Sequence, residues 1–257
     1  MKAQAELNAK IGIVIPCFNE AKRLDVNQFN QLARFSDVDW LIVDDGSKDD
    51  TLRVLDSVNM TGSMRVLSLP ENRGKSEAIR YGLNQFLVQG GYSGVGFLDA
   101  DSSISVNSIA TIIDKFREMN ISGYDMVWSS RIKLAGRQIS RSPKRHLIGR
   151  AVSLFIGYGN SLPYDSQCGY KIFKTTSGLV KSLEKSFSTK WFVDLEILTR
   201  CKLYDASTTV WEEPLSDWKE VPGSKITYSE SIHILAEMIY IRRVLKKINF
   251  TKHDLFS

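Results

Sequence analysis

Cysteine and histidine are scarce in this 257-residue chain, and the scarcity narrows its chemistry. Cys17, Cys168 and Cys201 are odd in number, far apart and without a Cys-x-x-Cys pair, which argues against a disulfide framework and fits a reducing compartment. His146, His233 and His253 show no metal-cluster spacing, so a bound metal is expected to be a hard ion on carboxylates, not zinc. No apolar run reaches the roughly 18 residues a membrane helix needs. The opening MKAQAELNAK lacks the apolar segment of a signal peptide. The expectation is a cytoplasmic protein, soluble or peripheral on the cytoplasmic face of a membrane. Internal repeats and low-complexity linkers are also missing. With 43% hydrophobic and 25% charged residues the chain reads as globular, not fibrous or disordered.

A formal net charge of +5 points to an anionic partner: lipid head groups, phosphorylated substrates or nucleic acid. Nucleic acid ranks last, because the basic stretch lacks interleaved aromatics and any binding motif.

Short apolar runs at 11–15, 40–43, 65–69 and 95–98 alternate with helical patterns at 76–89 and 106–119, the latter with Ser105 as N-cap. A strand-like run follows at 170–173. Such runs suit strands covered on both faces, and the alternation predicts an α/β sheet whose ligand lies beyond the carboxyl ends of the strands. The expected division is a domain over 1–228 and a C-terminal amphipathic helix with its tail over 229–257. That helix carries Ile232, Leu235, Ile239 and Leu245 on one side and Arg242, Arg243, Lys246 and Lys247 near its end.

Polar clusters fall at the predicted strand ends, each open to two readings. Asp99-Ala100-Asp101 places two hard carboxylates where they can share Mg²⁺ or Mn²⁺ with phosphate oxygens, or it is a turn and helix cap. Asp44-Asp45-Gly46-Ser47 can accept hydrogen bonds from a nucleobase or ribose, or simply connect a strand to a helix. Asn19-Glu20 ends the first strand. Asn72-Arg73-Gly74-Lys75-Ser76 is not a P-loop, because Leu69 stands where the first glycine belongs. Lys75 at a helix start can still meet a diphosphate, or be a solvated lysine. Arg137, Arg141, Lys144, Arg145 and Arg150 run into an apolar segment, as binding to an anionic lipid requires, or form a solvated helix face. Asp194 and Glu196, among Trp191, Phe192 and Val193, can supply a general base or bind sugar hydroxyls, or sit as helix-start carboxylates beside a core anchor.

In order along the chain, Ile13-Val14-Ile15-Pro16-Cys17-Phe18-Asn19-Glu20, Leu41-Ile42-Val43-Asp44-Asp45-Gly46-Ser47, Asn72-Arg73-Gly74-Lys75 and Leu98-Asp99-Ala100-Asp101 resemble the family 2 glycosyltransferases of GT-A (Rossmann-like) fold. Ser130-Arg131, the run from Asp165 to Phe173, Asp194-Leu195-Glu196 and the run from Trp218 to Lys225 are similar to the dolichyl-phosphate glucosyltransferase branch. The resemblance implies a mostly parallel sheet flanked by helices and an inverting, metal-dependent transfer of a hexose, glucose above others, from a UDP-sugar to a polyprenyl phosphate. It implies that Pro16, Asn19, Glu20, Asp45, Gly74, Lys75, Asp99, Ala100, Asp101 and Lys225 surround the nucleotide-sugar. Asp101, with Asp99, would hold Mg²⁺ or Mn²⁺. Arg131, Arg145, Arg150 and Gln167 would face the acceptor, and Asp194, Asp99 and Arg131 would serve the chemistry. Competing readings are the same fold acting on a saccharide in capsule or cell-wall synthesis, a nucleotidyltransferase, and a basic membrane- or partner-binding domain with a degenerate nucleotide site.

Overall fold

Apolar residues on both faces of consecutive strands force cover on both sides, and the computed structural model of the protein has that arrangement. It describes residues 9–58, 60, 62–157, 162–221 and 228–254. Strands β1 (Lys10–Cys17), β2 (Val38–Asp44), β3 (Met64–Ser68), β4 (Tyr92–Leu98), β5 (Met126–Ser130), β7 (Tyr170–Lys174) and β8 (Val210–Pro214) form one sheet in the order β3-β2-β1-β4-β7-β5-β8. β6 (Gln138–Ser140) and β9 (Asp217–Lys219) make a separate parallel pair. The helices are α1 (Val26–Leu32), α2 (Thr51–Leu55), α3 (Lys75–Gln89), α4 (Val106–Ile121), α5 (Pro143–Gly157), α6 (Ser177–Leu183), α7 (Val193–Tyr204) and α8 (Tyr228–Asp254).

One side of the sheet buries Phe29, Ile109, Ile112, Phe116 and Trp218, and the other buries Ile79, Leu83, Phe86, Leu195, Leu198 and Ile241. Close helix approach depends on small residues: a Cβ on Gly82 of α3 would meet Val14 and Val43, and one on Gly94 of β4 would meet the Phe116 ring. Ser105 caps α4, its hydroxyl accepting from the Ser108 N–H at 3.2 Å.

β1 pairs in parallel with β2 on one side and β4 on the other. Strand order therefore reverses between β1 and β4, which opens a crevice beyond their carboxyl ends. β7 runs antiparallel to β4, with Tyr170 opposite Leu98. Its amino end thus reaches the same edge, and the segment feeding it, 165–169, arrives at the crevice.

The parallel core and the two long helices agree with the sequence to within a residue or two at most ends. Strands β5, β6, β8 and β9 carry no pattern that singles them out. In α8, Met238, Ile241 and Leu245 are the buried side, whereas Leu235 and Ile239 are 52% and 37% exposed. The expected apolar side is therefore split between core and solvent. Among the described residues no helix is long and apolar enough to cross a membrane.

Candidate active site

The β2 end turns on Gly46, whose φ of +67° and contact with the Glu71–Asn72 backbone suit glycine. The turn leaves Asp45 buried, its carboxylate accepting the backbone N–H of Arg73 at 2.8 Å and of Gly74 at 2.7 Å. Burial raises the Asp45 pKa above the ordinary carboxylate value despite these two bonds. Asp45 thereby fixes the turn that starts α3 and carries Lys75. Lys75 Nζ lies 2.6 Å from Asp99 Oδ1 at the end of β4.

The β1 end supplies Asn19, in the left-handed region at φ 51°, a conformation Asn tolerates. Its amide oxygen accepts the Lys48 N–H at 2.8 Å, and its own N–H donates to Ser47 Oγ at 2.9 Å. Buried Glu20 takes Arg23 through Nε and Nη2, both at 2.5 Å. Those bonds, with the charges of Asp101 and Asp99 in reach, hold Arg23 above its ordinary pKa. Pro16 is half-buried in β1 beside Val43. The three polar strand ends therefore do meet at one crevice.

Asp99 and Asp101 flank the buried Ala100. The Asp99 N–H donates to Gly169 O at 2.8 Å, and a Cβ on Gly169 would overlap the Asp99 carboxylate. Asp101 Oδ1 accepts the Ser103 N–H at 3.1 Å. Among the described residues no three His, Cys, Asp or Glu side chains converge on one point. The donor set is one or two hard carboxylates beside a lysine. It fits a Mg²⁺ or Mn²⁺ that fills its remaining positions with phosphate oxygens and water.

On the other flank, Arg131 at the end of β5 is 12% exposed and holds Asp165 through Nε at 2.7 Å and Nη2 at 2.8 Å. Its backbone N–H reaches the same carboxylate at 2.9 Å, and its guanidinium lies 5.3 Å from the Trp218 ring centroid. Burial alone would raise the Asp165 carboxyl, but the hydrogen bonds and charge of Arg131 hold it well below the carboxylate range. Gln167, partly exposed, donates its N–H to Asp165 Oδ1 at 3.3 Å. Arg150 donates to Tyr164 O at 2.5 Å and stacks on the Tyr164 ring. Arg145 lies in α5 with a side chain outside the described residues, and Lys225 is likewise outside them. An open groove of about 890 Å³ beside Ser102 and Ser103 is lined by Lys133, Arg137, Arg141 and Lys219 among others.

Asp194, at the start of α7, is 5% exposed and bound to the Nζ of Lys171, and its Oδ1 accepts the Leu195 N–H at 2.7 Å. Glu196 has a different task. It accepts the N–H groups of Ser188 and Thr189, each at 2.8 Å, and pairs with Arg200 at 2.7 Å. Glu77 of α3 and Glu237 of α8 receive further N–H groups of the same segment, from Phe187, Lys190 and Trp191.

Sequence reasoning passed over Arg23 and gave no role to Asp165 or Lys171, although both lie in the Asp165–Phe173 run that carries the resemblance. A charge inside the apolar run Tyr170-Lys171-Ile172-Phe173 is the signal that could have exposed Lys171. The pairing of Arg131 with Asp165 spans 34 residues and leaves no local trace.

Comparison with known proteins fits this geometry. The dolichyl-phosphate beta-glucosyltransferase of Saccharomyces cerevisiae is 28% identical over 255 residues, covering 90% of this chain and 74% of the relative. The human protein of that name is 24% identical over 256 residues, covering 91% of this chain and 75% of the relative. Among solved structures, glucosyl-3-phosphoglycerate synthase from Mycobacterium tuberculosis, in complex with Mn²⁺, UDP-glucose and phosphoglyceric acid, superposes with a TM-score of 0.67. That match covers 96% of this chain and 82% of the other at 17% identity, which establishes the shared fold. The model of "Glycosyl transferase family 2" matches residues 12–176. This chain belongs to glycosyl transferase family 2 and is a glycosyltransferase.

Proposed function

We propose that this enzyme transfers glucose from UDP-glucose to a polyprenyl phosphate with inversion at the anomeric carbon. The observation that carries the reading is the union of Asp45, Gly74, Lys75 and Asp99 in one bonded chain at the strand-order reversal. It is supported by similarity to dolichyl-phosphate beta-glucosyltransferases over nine-tenths of the chain. Asp45, Glu20, Asn19 and Pro16 surround the nucleoside. Lys75, at the N-terminus of α3, meets the diphosphate with charge and helix dipole. Asp101, with Asp99 beside it, holds Mg²⁺ or Mn²⁺. When bound, that ion offsets negative charge growing on the departing nucleotide.

A phosphate acceptor is already anionic at neutral pH and needs no strong base, so orientation does most of the work. Arg131 and Arg150 face it, with Gln167 on the sugar side; Arg145, whose side chain lies outside the described residues, is the third arginine of the reading. The Arg131–Asp165 pair engages Nε and Nη2, which keeps the guanidinium plane fixed for an incoming anion. A saccharide acceptor would need a base, and Asp194 is the candidate for it, although Lys171 and the Leu195 N–H engage its carboxylate in this structure.

Purified protein with labelled UDP-glucose, Mn²⁺ and a short polyprenyl phosphate is expected to give lipid-linked β-glucose, its anomer read by NMR coupling. Label entering only an added saccharide would overturn the lipid assignment. Release of pyrophosphate would instead mark a nucleotidyltransferase, and absence of metal-dependent UDP binding a degenerate site.

A further inference from the structure

Lys171 lies in β7, near the middle of the sheet, with its side chain wholly buried. A buried ammonium is costly unless opposite charge and hydrogen bonds meet it. An ammonium has three protons and no acceptor, and here three acceptors take them. Nζ donates to Ser166 O at 2.9 Å, to Cys168 O at 2.7 Å and to the Asp194 carboxylate. The Trp128 and Phe97 rings lie beside it, with centroids 4.7 Å and 5.8 Å from Nζ. Saturated in this way, the lysine has no proton left for substrate.

Stability alone is a weak reason for such a group, because well-packed apolar residues commonly replace a buried ion pair without loss. Its partners give a better one. The two carbonyls belong to the 165–169 segment, which carries Gln167 and the Gly169 that backs Asp99. The carboxylate belongs to the first turn of α7. These pieces come from separate stretches of chain, and Lys171 is bonded to both.

We propose that Lys171 is a positioning residue of the active site, whose buried ammonium fixes the 165–169 segment against Asp194 and so sets the sugar and acceptor side. This rests on the reading of Gln167 and Asp194 given under the proposed function. Lys171→Met keeps the stem and removes the charge. The turnover number is expected to fall about 100-fold, as a misplacement near 1 Å can cause. The KM for UDP-glucose should stay within about twofold, because Asp45 and the 73–75 turn, which meet the nucleotide in the proposed reading, are not bonded to Lys171. Amide hydrogen exchange at 166–169 and 194–196 should quicken together, with no change at 45 and 73–75. Wild-type turnover, or unaltered exchange at 166–169, overturns the proposal.

Lys171→Met also strands a buried carboxylate, so Lys171→Met/Asp194→Leu is measured beside it to keep a folded comparison. In that variant, exchange at 166–169 stays fast if Lys171 holds the segment. A return to the wild-type rate overturns the proposal. Exchange needs no substrate, so a wild-type protein that transfers no glucose would count against the assigned substrates while the exchange data still decide the role of Lys171.

Discussion

Asp99 and Asp101 stand two residues apart, yet the fold gives them different surroundings. Asp99 is engaged by Lys75 and wedged against Gly169, while Asp101 spends one oxygen on the Ser103 N–H. Asp101→Ala is therefore expected to lower turnover by about 10²–10³-fold, the rate equivalent of the several kcal/mol a metal contributes. It should leave the thermal midpoint of the free protein unchanged and remove the Mn²⁺-dependent part of its stabilisation by UDP. A variant with full activity would refute the metal assignment. Arg131 behaves differently, because its first partner is inside the protein. Arg131→Met leaves buried Asp165 with the more distant Arg141, at 3.9 Å, in place of its close partner and is expected to cost about 3 kcal/mol in urea unfolding, with Arg131→Met/Asp165→Leu recovering most of it. The Asp165 carboxyl is held below its unfolded value. Its contribution is thus present above about pH 4, near the reference carboxylate pKa, and is lost as the pH falls further. Unfolding free energy measured between pH 5 and pH 2 should fall more steeply in the wild type than in Asp165→Asn.

At the scale of elements, the sheet and its two long helices were legible because their signals are local. Residues 40–43 are an unbroken apolar run, and α3 and α4 repeat their apolar residues at helical spacing. The three strand-end clusters and the Asn72–Ser76 cluster at the start of α3 were legible for the same reason, since each lies within a few residues. The elements that escaped are short or mixed. β6 and β9 have three residues each, too few for an alternation to show. β8 reads Val-Trp-Glu-Glu-Pro, and all five of its residues are half-buried. Its identity depends on parallel pairing with β5 across the sheet edge, which no local pattern encodes. Burial in α8 was misassigned because its partners α5 and α7 determine which side faces inward. Helix-to-sheet spacing is a further property of this scale. Gly82→Ala inserts a methyl between α3 and the Val14 and Val43 side chains. It should destabilise the protein by about 1–3 kcal/mol, as overpacking commonly does, with no loss of UDP affinity in the folded fraction. Chemical denaturation beside calorimetry with UDP checks both halves of that statement.

Across the whole molecule, α5 and α8 pack together and leave an outward surface of mixed character. Leu147, Leu154 and Phe155 of α5 are 71%, 61% and 37% exposed. On α8, Leu235, Ile239 and Tyr240 are exposed near Arg243, Lys246 and Lys247. Exposed apolar side chains and cations on the same two helices are what the proposed polyprenyl-phosphate reading needs at an anionic bilayer surface. Co-sedimentation with vesicles containing phosphatidylserine should exceed that with neutral vesicles and weaken with salt. Leu154→Glu should reduce it severalfold, each buried apolar side chain contributing on the order of 1.5–3 kcal/mol. Equal binding of wild type and variant would remove this surface from the account.

The three thiols described at the outset form no disulfide and are all enclosed: Cys17 at the end of β1, Cys168 in the 165–169 segment and Cys201 in α7. Burial also raises the pKa of Cys168 and of Cys201, the latter to about 11, so little thiolate exists at neutral pH. An alkylating reagent therefore waits for the polypeptide to breathe. Because Cys168 sits within the 165–169 segment, its rate of modification is a clock for opening at the catalytic edge, already wired into the natural chain.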